Sequence, residues 1–539
     1  MGGGTPRVEP RESFDVNKIG VGRSGLMKPT AYDTAWLARI PAEHDAGGRR
    51  WVHRTTGRVP AFPEALDWLR QNQNEDGSWG AEIEYVHDRV ISTLVTILAL
   101  TEWEGSGPSK DGQDRIAIER GLRYIWEKAD TDGTIGQLEQ EHETIGFEVI
   151  LPTLLKGCQE FGFTLPWSAF ERYDKMRDEK MAKIPPDMLY SRDTTMAFSL
   201  EFMGDNLDVD KTGTLQEENG SIGVSPSATA YFLTKLPDNV AARRYVADIA
   251  SVYGSTAPEV FPFDVFETAW SLWNLGLAGL SLQDPPVASL VANLMRLWER
   301  SEARGLGFSS MYSASDADCT AMVYSVLRYA GYEPPSQVFR RFERDCHFVC
   351  YPWERDNDAS LSVNIHVLHA LQGLEQDSTT RIVNFLGSRM NSQGYWQDKW
   401  HISPYYATGH AVIALIGSEH ELTKGAVQWM LDTQRPDGSW GYYGHPTAEE
   451  TAYCLQALSA YDRYVEPVDR SALAHGREWL LTCRLEMPAL WVGKCLYTPV
   501  RVVESAIYSA LVMTRPYREP SRKFGPFGKV KEMNRGQYP

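Results

Sequence analysis

The chain has 539 residues, enough at roughly 100 to 200 residues per domain for about three domains and a large buried core. Hydrophobic residues make up 42% and charged residues 23%, the ordinary globular range, so disordered, collagen-like and fibrous classes are excluded. With 54 Lys and Arg against 71 Asp and Glu, the net charge of −17 argues against a nucleic-acid partner, which needs a basic face. An anion would have to be held by a local cluster or a metal.

Cys158, Cys319, Cys346, Cys350, Cys454, Cys483 and Cys495 show neither framework spacing nor paired CxxC motifs, which predicts reduced thiols, a cytoplasmic location and no structural zinc. No apolar run reaches the length of about 18 residues that a membrane span needs, and the N-terminus lacks an apolar signal core. A soluble protein is expected. The compositional oddity is its 17 Trp and 25 Tyr, rings that must either staple helices together or wall a cavity.

In chain order, one phrase recurs: Gln and polar residues, a Gly, an aromatic, then an apolar helix. The copies are QNEDGSWG (73–80), QEENGSIG (216–223), GLGF (305–308), SQGYW (392–396) and QRPDGSW (434–440). Polar stretches at 104–115 and 204–221 read as loops, and 254–264, with two Pro, as a link between domains. After the last three copies a Thr opens a helix 12, 12 and 11 residues beyond the aromatic: Phe308 to Thr320, Trp396 to Thr408, Trp440 to Thr451. Each helix carries apolar residues at 3 to 4 spacing, as in Met322, Val323, Val326 and Leu327, and almost no alternating strand pattern occurs. Helical hairpins that cannot bury their apolar stripes alone must stack, and closing the stack gives a double ring of inner and outer helices. The derived architecture is an all-α toroid. The last 25 residues read as a basic surface tail.

The densest cluster of chemistry is Asp316-Ala317-Asp318-Cys319-Thr320 at a repeat helix start. Asp and Thr there serve as helix caps in any protein. The equivalent slots elsewhere hold Tyr406-Ala407 and Glu449-Glu450, so two Asp flanking an Ala are special to this copy. Inner-helix starts in a ring face a common cavity, and a carboxyl desolvated there among aromatics stays protonated. A neutral carboxylic acid facing an aromatic void can protonate an alkene, and ring faces stabilise the resulting cations.

AYDTAW (31–36), DGSWG with HDRVISTL (76–94), ETIGFEVILPTLL (143–155), SPSATAYF (225–232), FPFDVFETAW (261–270) and DADCTAM (316–322) occur in this order. Together they make the chain resemble class II diterpene cyclases of the copalyl diphosphate synthase type from about residue 28 to about residue 513. WHISPYYAT (400–408) and LWVGKCLYTP (490–499) resemble the bacterial branch. The resemblance implies two α-barrels, α6-α6 toroid-like, in a βγ arrangement without a class I α domain. The expected limits are 14–50 for the first segment of the β domain, 51–258 for the inserted γ domain, 259–514 for the main part of β, and 515–539 for the tail.

By the same resemblance Asp318 is the general acid, Asp316 supports it and Asn364 hydrogen-bonds it. Cys319 stands where the family has Asp, as in the Asp-Cys-Thr of oxidosqualene cyclases. Glu259 occupies a slot that holds Asn in plant enzymes making the ent product, where it helps position the deprotonating water. Glu139, Glu141 and Glu143 lie where the family keeps acidic residues for Mg²⁺ and the substrate diphosphate, and Mg²⁺ favours carboxylate oxygens. Lys494 and Arg501 are candidates for phosphate contact, and Trp353, Trp400, Tyr405, Tyr406 and Trp491 for cavity walls.

No two Asp are adjacent, so no DDxxD motif is present and the product is expected to keep its diphosphate. The implied reaction is Mg²⁺-assisted, protonation-initiated cyclisation of geranylgeranyl diphosphate to a bicyclic labdane-type diphosphate, ent-copalyl diphosphate first, which would pass to a separate class I terpene synthase. Alternatives are farnesyl diphosphate to drimenyl diphosphate, a halimane or clerodane diphosphate product, or squalene as substrate. A non-catalytic toroidal binding module would account for the repeats and aromatics alone, and a prenyltransferase-like one would carry zinc ligands.

Overall fold

The computed structural model describes residues 14–19, 25–42, 59–104, 112–129, 136, 138, 142–285, 287–354, 359–416, 418 and 420–515. Two closed rings of helices share the chain. In the smaller, α1 (Ala31–Ala38), α2 (Val86–Glu102), α3 (Phe147–Glu160), a 3₁₀ stretch at Thr195–Asn206 and α4 (Pro226–Lys235) each pack on the next, and α4 returns to α1. In the larger, α5 (Asp264–Leu277), α6 (Ala317–Tyr329), α7 (Leu361–Leu371), α8 (Pro404–Leu415), α9 (Ala448–Tyr464) and α10 (Val500–Met513) form a six-membered ring in which α10 closes on α5.

The inner helices are apolar all round because they are covered all round: every residue of α7 and α8 is buried. The outer helices keep one stripe. Val287–Arg300 buries Val287, Val291, Leu294 and Trp298, steps of three and four that face the ring. Side chains of Thr30, Ser225, Asp316, Ser360, Ser403 and Thr447 cap six inner helices.

The repeat phrase is the joint between an outer and an inner helix. Trp396 donates its indole N–H to Leu386 O (2.8 Å) of one outer helix, while its backbone N–H reaches Thr408 Oγ1 (3.0 Å) of α8. Trp440 does the same with Met430 O and Thr451 Oγ1, and Trp79 with Leu69 O and Thr93 Oγ1. The GLGF copy departs from this pattern: Leu306 N, not Phe308 N, bonds Thr320 Oγ1 (3.0 Å). Phe308 is thereby released to the space between the rings.

The chain enters through the larger body, where Phe14, Val16, Ile19 and Met27 pack, and Lys28 N donates to Thr498 O (3.1 Å). α1 then joins the smaller core. The expected assignment of 14–50 to the larger domain therefore fails for α1, whose apolar residues complete the small ring. The stretch 204–221 is not plain loop, since Val209–Thr214 forms a 3₁₀ helix. A short hairpin, β1 (Trp491–Val492) and β2 (Leu496–Tyr497), bridges the bodies: Ile145 N donates to Gly493 O (2.8 Å), and Val492 and Leu496 pack with Tyr85. All seven cysteines are free, and among the described residues no helix is long and apolar enough to cross a membrane.

Candidate active site

A cavity of about 920 Å³ opens between the rings, lined from the smaller by residues such as Ile145, Met196 and Phe198 and from the larger by the starts of α5 and α6. Asp318, the second residue of α6, faces it. Asp318 Oδ1 lies 2.5 Å from His366 Nδ1 on the neighbouring α7, and His366 Nε2 lies 2.8 Å from His410 Nδ1 on α8. Carboxyl and two imidazoles thus form one hydrogen-bonded chain running from the cavity into the larger ring. His410 is fully enclosed and stacked on Trp273; burial, then the charge of His366, depress its pKa well below the imidazole range, so it is neutral.

Asp316 caps α6, accepting from Cys319 N (2.6 Å), and also lines the cavity. Burial, and then the adjacent Asp318 charge, push its carboxyl up to about 7, with the Cys319 amide working in the opposite direction. Cys319 is buried beside the two acids; burial and both carboxylates push its thiol up, so it stays an S–H.

Asn364 does not reach the acid. Its Nδ2 donates to Phe348 O and Ser360 O and its Oδ1 accepts from Phe348 N, all at 2.8 Å. On a helix turning about 100° per residue, positions 364 and 366 point to opposite sides, so only one of them can face Asp318. Asn364 holds the 348–350 segment, whose Cys350 O accepts from Ala317 N (2.8 Å) at the start of α6. It is a positioning residue for that turn. The partner of the acid, His366, escaped sequence reading because a His in an apolar helix looks like core.

Trp353, Trp400, Tyr406 and Trp491 line the cavity, joined by Phe266 and Phe308. Tyr405 does not: it packs on Trp429 of an outer helix, ring centroids 4.7 Å apart, because the residue before a cavity-facing Tyr406 is turned about 100° away from it on the helix. Trp491 is fixed by donating to Glu449 Oε1 (2.7 Å), and Phe266 meets its ring edge-on at 5.3 Å.

The cavity mouth carries charge. Half-buried Glu143 lies there with Glu148, Lys180, Lys183 and Lys399. Burial, then Glu148, push Glu143 up to about 7, against Lys180 and Arg172. Glu139 and Glu141 fall outside the described residues. Neither basic candidate faces the cavity. Lys494 is enclosed in the interface of the two bodies, donating to Glu201 Oε1 (2.8 Å), Phe198 O (2.9 Å) and Ser225 Oγ (2.7 Å), and Arg501 pairs with Glu504. Lys399 went unread among the aromatics of WQDKWH. Glu259 reaches the cavity but is held by Lys494 N (2.7 Å) and Cys495 Sγ (3.0 Å).

Residues 357–453 match the family described as the Squalene-hopene cyclase C-terminal domain. The chain is 34% identical over 507 residues to the "Type B diterpene cyclase" of Mycobacterium tuberculosis, covering 90% of this chain and 95% of that protein. Among solved structures it is similar to the ent-copalyl diphosphate synthase from Streptomyces platensis, with a TM-score of 0.70, 28% identity, and coverage of 91% of this chain and 96% of that one. The ent-copalyl diphosphate synthase from Arabidopsis thaliana, solved with (S)-15-aza-14,15-dihydrogeranylgeranyl thiolodiphosphate, shares the fold with a TM-score of 0.65 at 24% identity; the match covers 90% of this chain and 60% of that one. The likeness along nearly the whole length, added to an acid at the floor of an aromatic cavity, establishes that the chain belongs to the class II diterpene cyclases.

Proposed function

We propose that the protein cyclises geranylgeranyl diphosphate to a bicyclic labdane-type diphosphate, ent-copalyl diphosphate being the first candidate, by protonation from Asp318. The observation that carries this reading is the Asp318–His366–His410 chain ending in an aromatic cavity. When His366 holds its proton on Nδ1 it donates to Asp318 Oδ1, leaving Oδ2 to carry the acidic proton. That proton passes to the terminal alkene, two further alkenes close two rings, and loss of a proton restores an alkene. The carbon–oxygen bond to the diphosphate is untouched. The His366 hydrogen bond strengthens as Asp318 becomes an anion, so it favours the transition state over the resting acid. Phe266, Phe308 and Trp491 line the space in which the cation would form, and aromatic rings stabilise positive charge.

The carboxylates at the mouth are of the kind that hold Mg²⁺, which takes one or two carboxylates together with substrate oxygens. Glu143, a partly enclosed carboxyl beside a second acid, is the described residue suited to hold it, and the ion would neutralise the diphosphate's charge. Lys180, Lys183 and Lys399 would receive the same head group, which favours a phosphorylated substrate over squalene.

The primary test is incubation with C15 and C20 prenyl diphosphates, then dephosphorylation and mass spectrometry. The expected result is a bicyclic C20 alcohol only after phosphatase treatment, with no pyrophosphate released; prompt pyrophosphate formation overturns the reading. Glu143→Gln is expected to raise the Mg²⁺ concentration for half-maximal rate by about tenfold or more, read from metal titrations at saturating substrate.

The two raised carboxyls predict the pH dependence. Glu143 gains charge as pH rises through about 7, favouring metal binding. Asp316 also gains charge through about 7, which sets a second buried carboxylate beside the group that must become an anion as it gives up its proton. At limiting Mg²⁺ the rate should therefore be bell-shaped around neutrality. Saturating Mg²⁺ should move the acidic limb down while the alkaline limb stays, and Asp316→Asn should remove the alkaline limb near 7.

A further inference from the structure

Separated from the cavity by the loop leading into Asp316 lies a second pocket of about 630 Å³, and Tyr312 and Trp353 belong to the walls of both. In a chain of net charge −17, Arg192, Arg300, Arg304 and Arg341 converge on it. Arg192 lies 4.0 Å from Glu217. Among the described residues, Arg300, Arg304 and Arg341 have no carboxylate within ion-pair distance.

The pocket's acids do not neutralise them. Glu217 is buried and committed to Ser313, accepting from its backbone N–H (3.2 Å) and its hydroxyl (2.7 Å). Asp193 and Glu218 also line the pocket, yet Arg341 still sits below the ordinary arginine range, through burial and then the charge of Arg304, with Asp193 only partly offsetting them.

Two of the guanidiniums each make one hydrogen bond to a backbone carbonyl. Arg341 Nη1 donates to Arg304 O, and Arg304 Nε to Ser301 O (3.3 Å), which leaves most of the five N–H donors of each uncommitted. Among the described residues, the buried Tyr312 hydroxyl on the shared wall also lacks a hydrogen-bond partner. Guanidinium forks with donors to spare match the paired oxygens of phosphate groups.

We infer that this pocket binds a diphosphate group. Two sources share that chemistry: the head group of the substrate itself, reaching past Trp353, or a separate phosphorylated molecule acting on the loop that carries Tyr312 and Asp316. The first source rests on the cyclisation proposed above; the second does not.

The test is calorimetric titration of the full chain with inorganic pyrophosphate in EDTA, so that no metal can bridge to Glu143. The Arg304→Gln/Arg341→Gln variant, checked for an unchanged melting temperature, is expected to bind about tenfold or more weaker than wild type, and Asp318→Asn to bind as wild type does. Equal binding by the arginine variant and wild type, or none by wild type, overturns the inference. Kinetics with geranylgeranyl diphosphate then separate the sources. A raised KM with kcat retained identifies the substrate's own head group, whereas an unchanged KM with loss of pyrophosphate inhibition identifies a separate ligand. Because pyrophosphate binding needs no turnover, failure of the cyclase reading leaves this result standing.

Discussion

Asp318→Asn is expected to lower turnover by about 10⁴-fold or more while leaving the melting temperature and substrate affinity near wild type. The amide keeps the size of the side chain and an oxygen for His366 Nδ1, at 2.5 Å in the native protein, but has no acidic proton to give. The neighbouring groups are poor substitutes: the Cys319 thiol is pushed up by burial and by both neighbouring acids, and Asp316 is tied through Oδ1 to the Cys319 amide as the cap of α6. His366→Phe makes the graded comparison. It removes the hydrogen bond that grows with the carboxylate charge, so kcat should fall by roughly 10² with KM little changed. Single-turnover assays with geranylgeranyl diphosphate read both. Residual activity of Asp318→Asn within tenfold of wild type would sink the acid assignment.

That Asp318 could be read from sequence, and His366 could not, has a physical basis. The Trp-to-Thr spacing recurs because one side chain must span the same outer-to-inner joint in each repeat, so Thr408 and Thr451 locate helix starts and the Asp pair before Thr320 stands out against them. The same regularity hid an exception, for Leu306 takes the anchoring bond and Phe308 goes to the cavity. His366 shows no such contrast. Its partner is 48 residues away on another helix, and only ring closure sets the two at the same depth. Asn364 carries the right chemistry on the same helix, but its rotation sends it to Phe348 instead. Tyr405 and Tyr406 differ by one position, and that alone decides which faces the cavity and which meets Trp429.

Lys494 illustrates the other limit, since sequence reports a charge and not its burial, and its replacement carries the largest expected effect on stability. The ammonium is completely enclosed, as is Glu201, 2.8 Å away. Burial works against its charge, and Glu201, Asp33 and Glu259 together reverse that, raising its pKa. These acids come from three separate stretches of chain, so one cation ties the hairpin to the smaller ring and to the link before α5. Lys494→Met leaves the carboxylates facing one another without a counter-charge, and a buried pair broken on one side costs about 3–5 kcal/mol. A melting temperature lower by roughly 3–5 °C is expected. Adding Glu201→Gln should recover part of the loss, because it removes the orphaned partner. The deficit should also depend on pH. Burial, then Glu259, hold the Asp33 pKa well above its unfolded value, with Lys494 acting against them, so removing Lys494 raises it further. A carboxyl with a raised folded pKa binds more protons folded than unfolded, so stability is lost as pH rises from about 4 upward. The variant should therefore lie closer to wild type at pH 5 than at pH 8. A phosphate-binding lysine would behave in the opposite way, raising KM and leaving the melting temperature unchanged, and that result would return Lys494 to the active site.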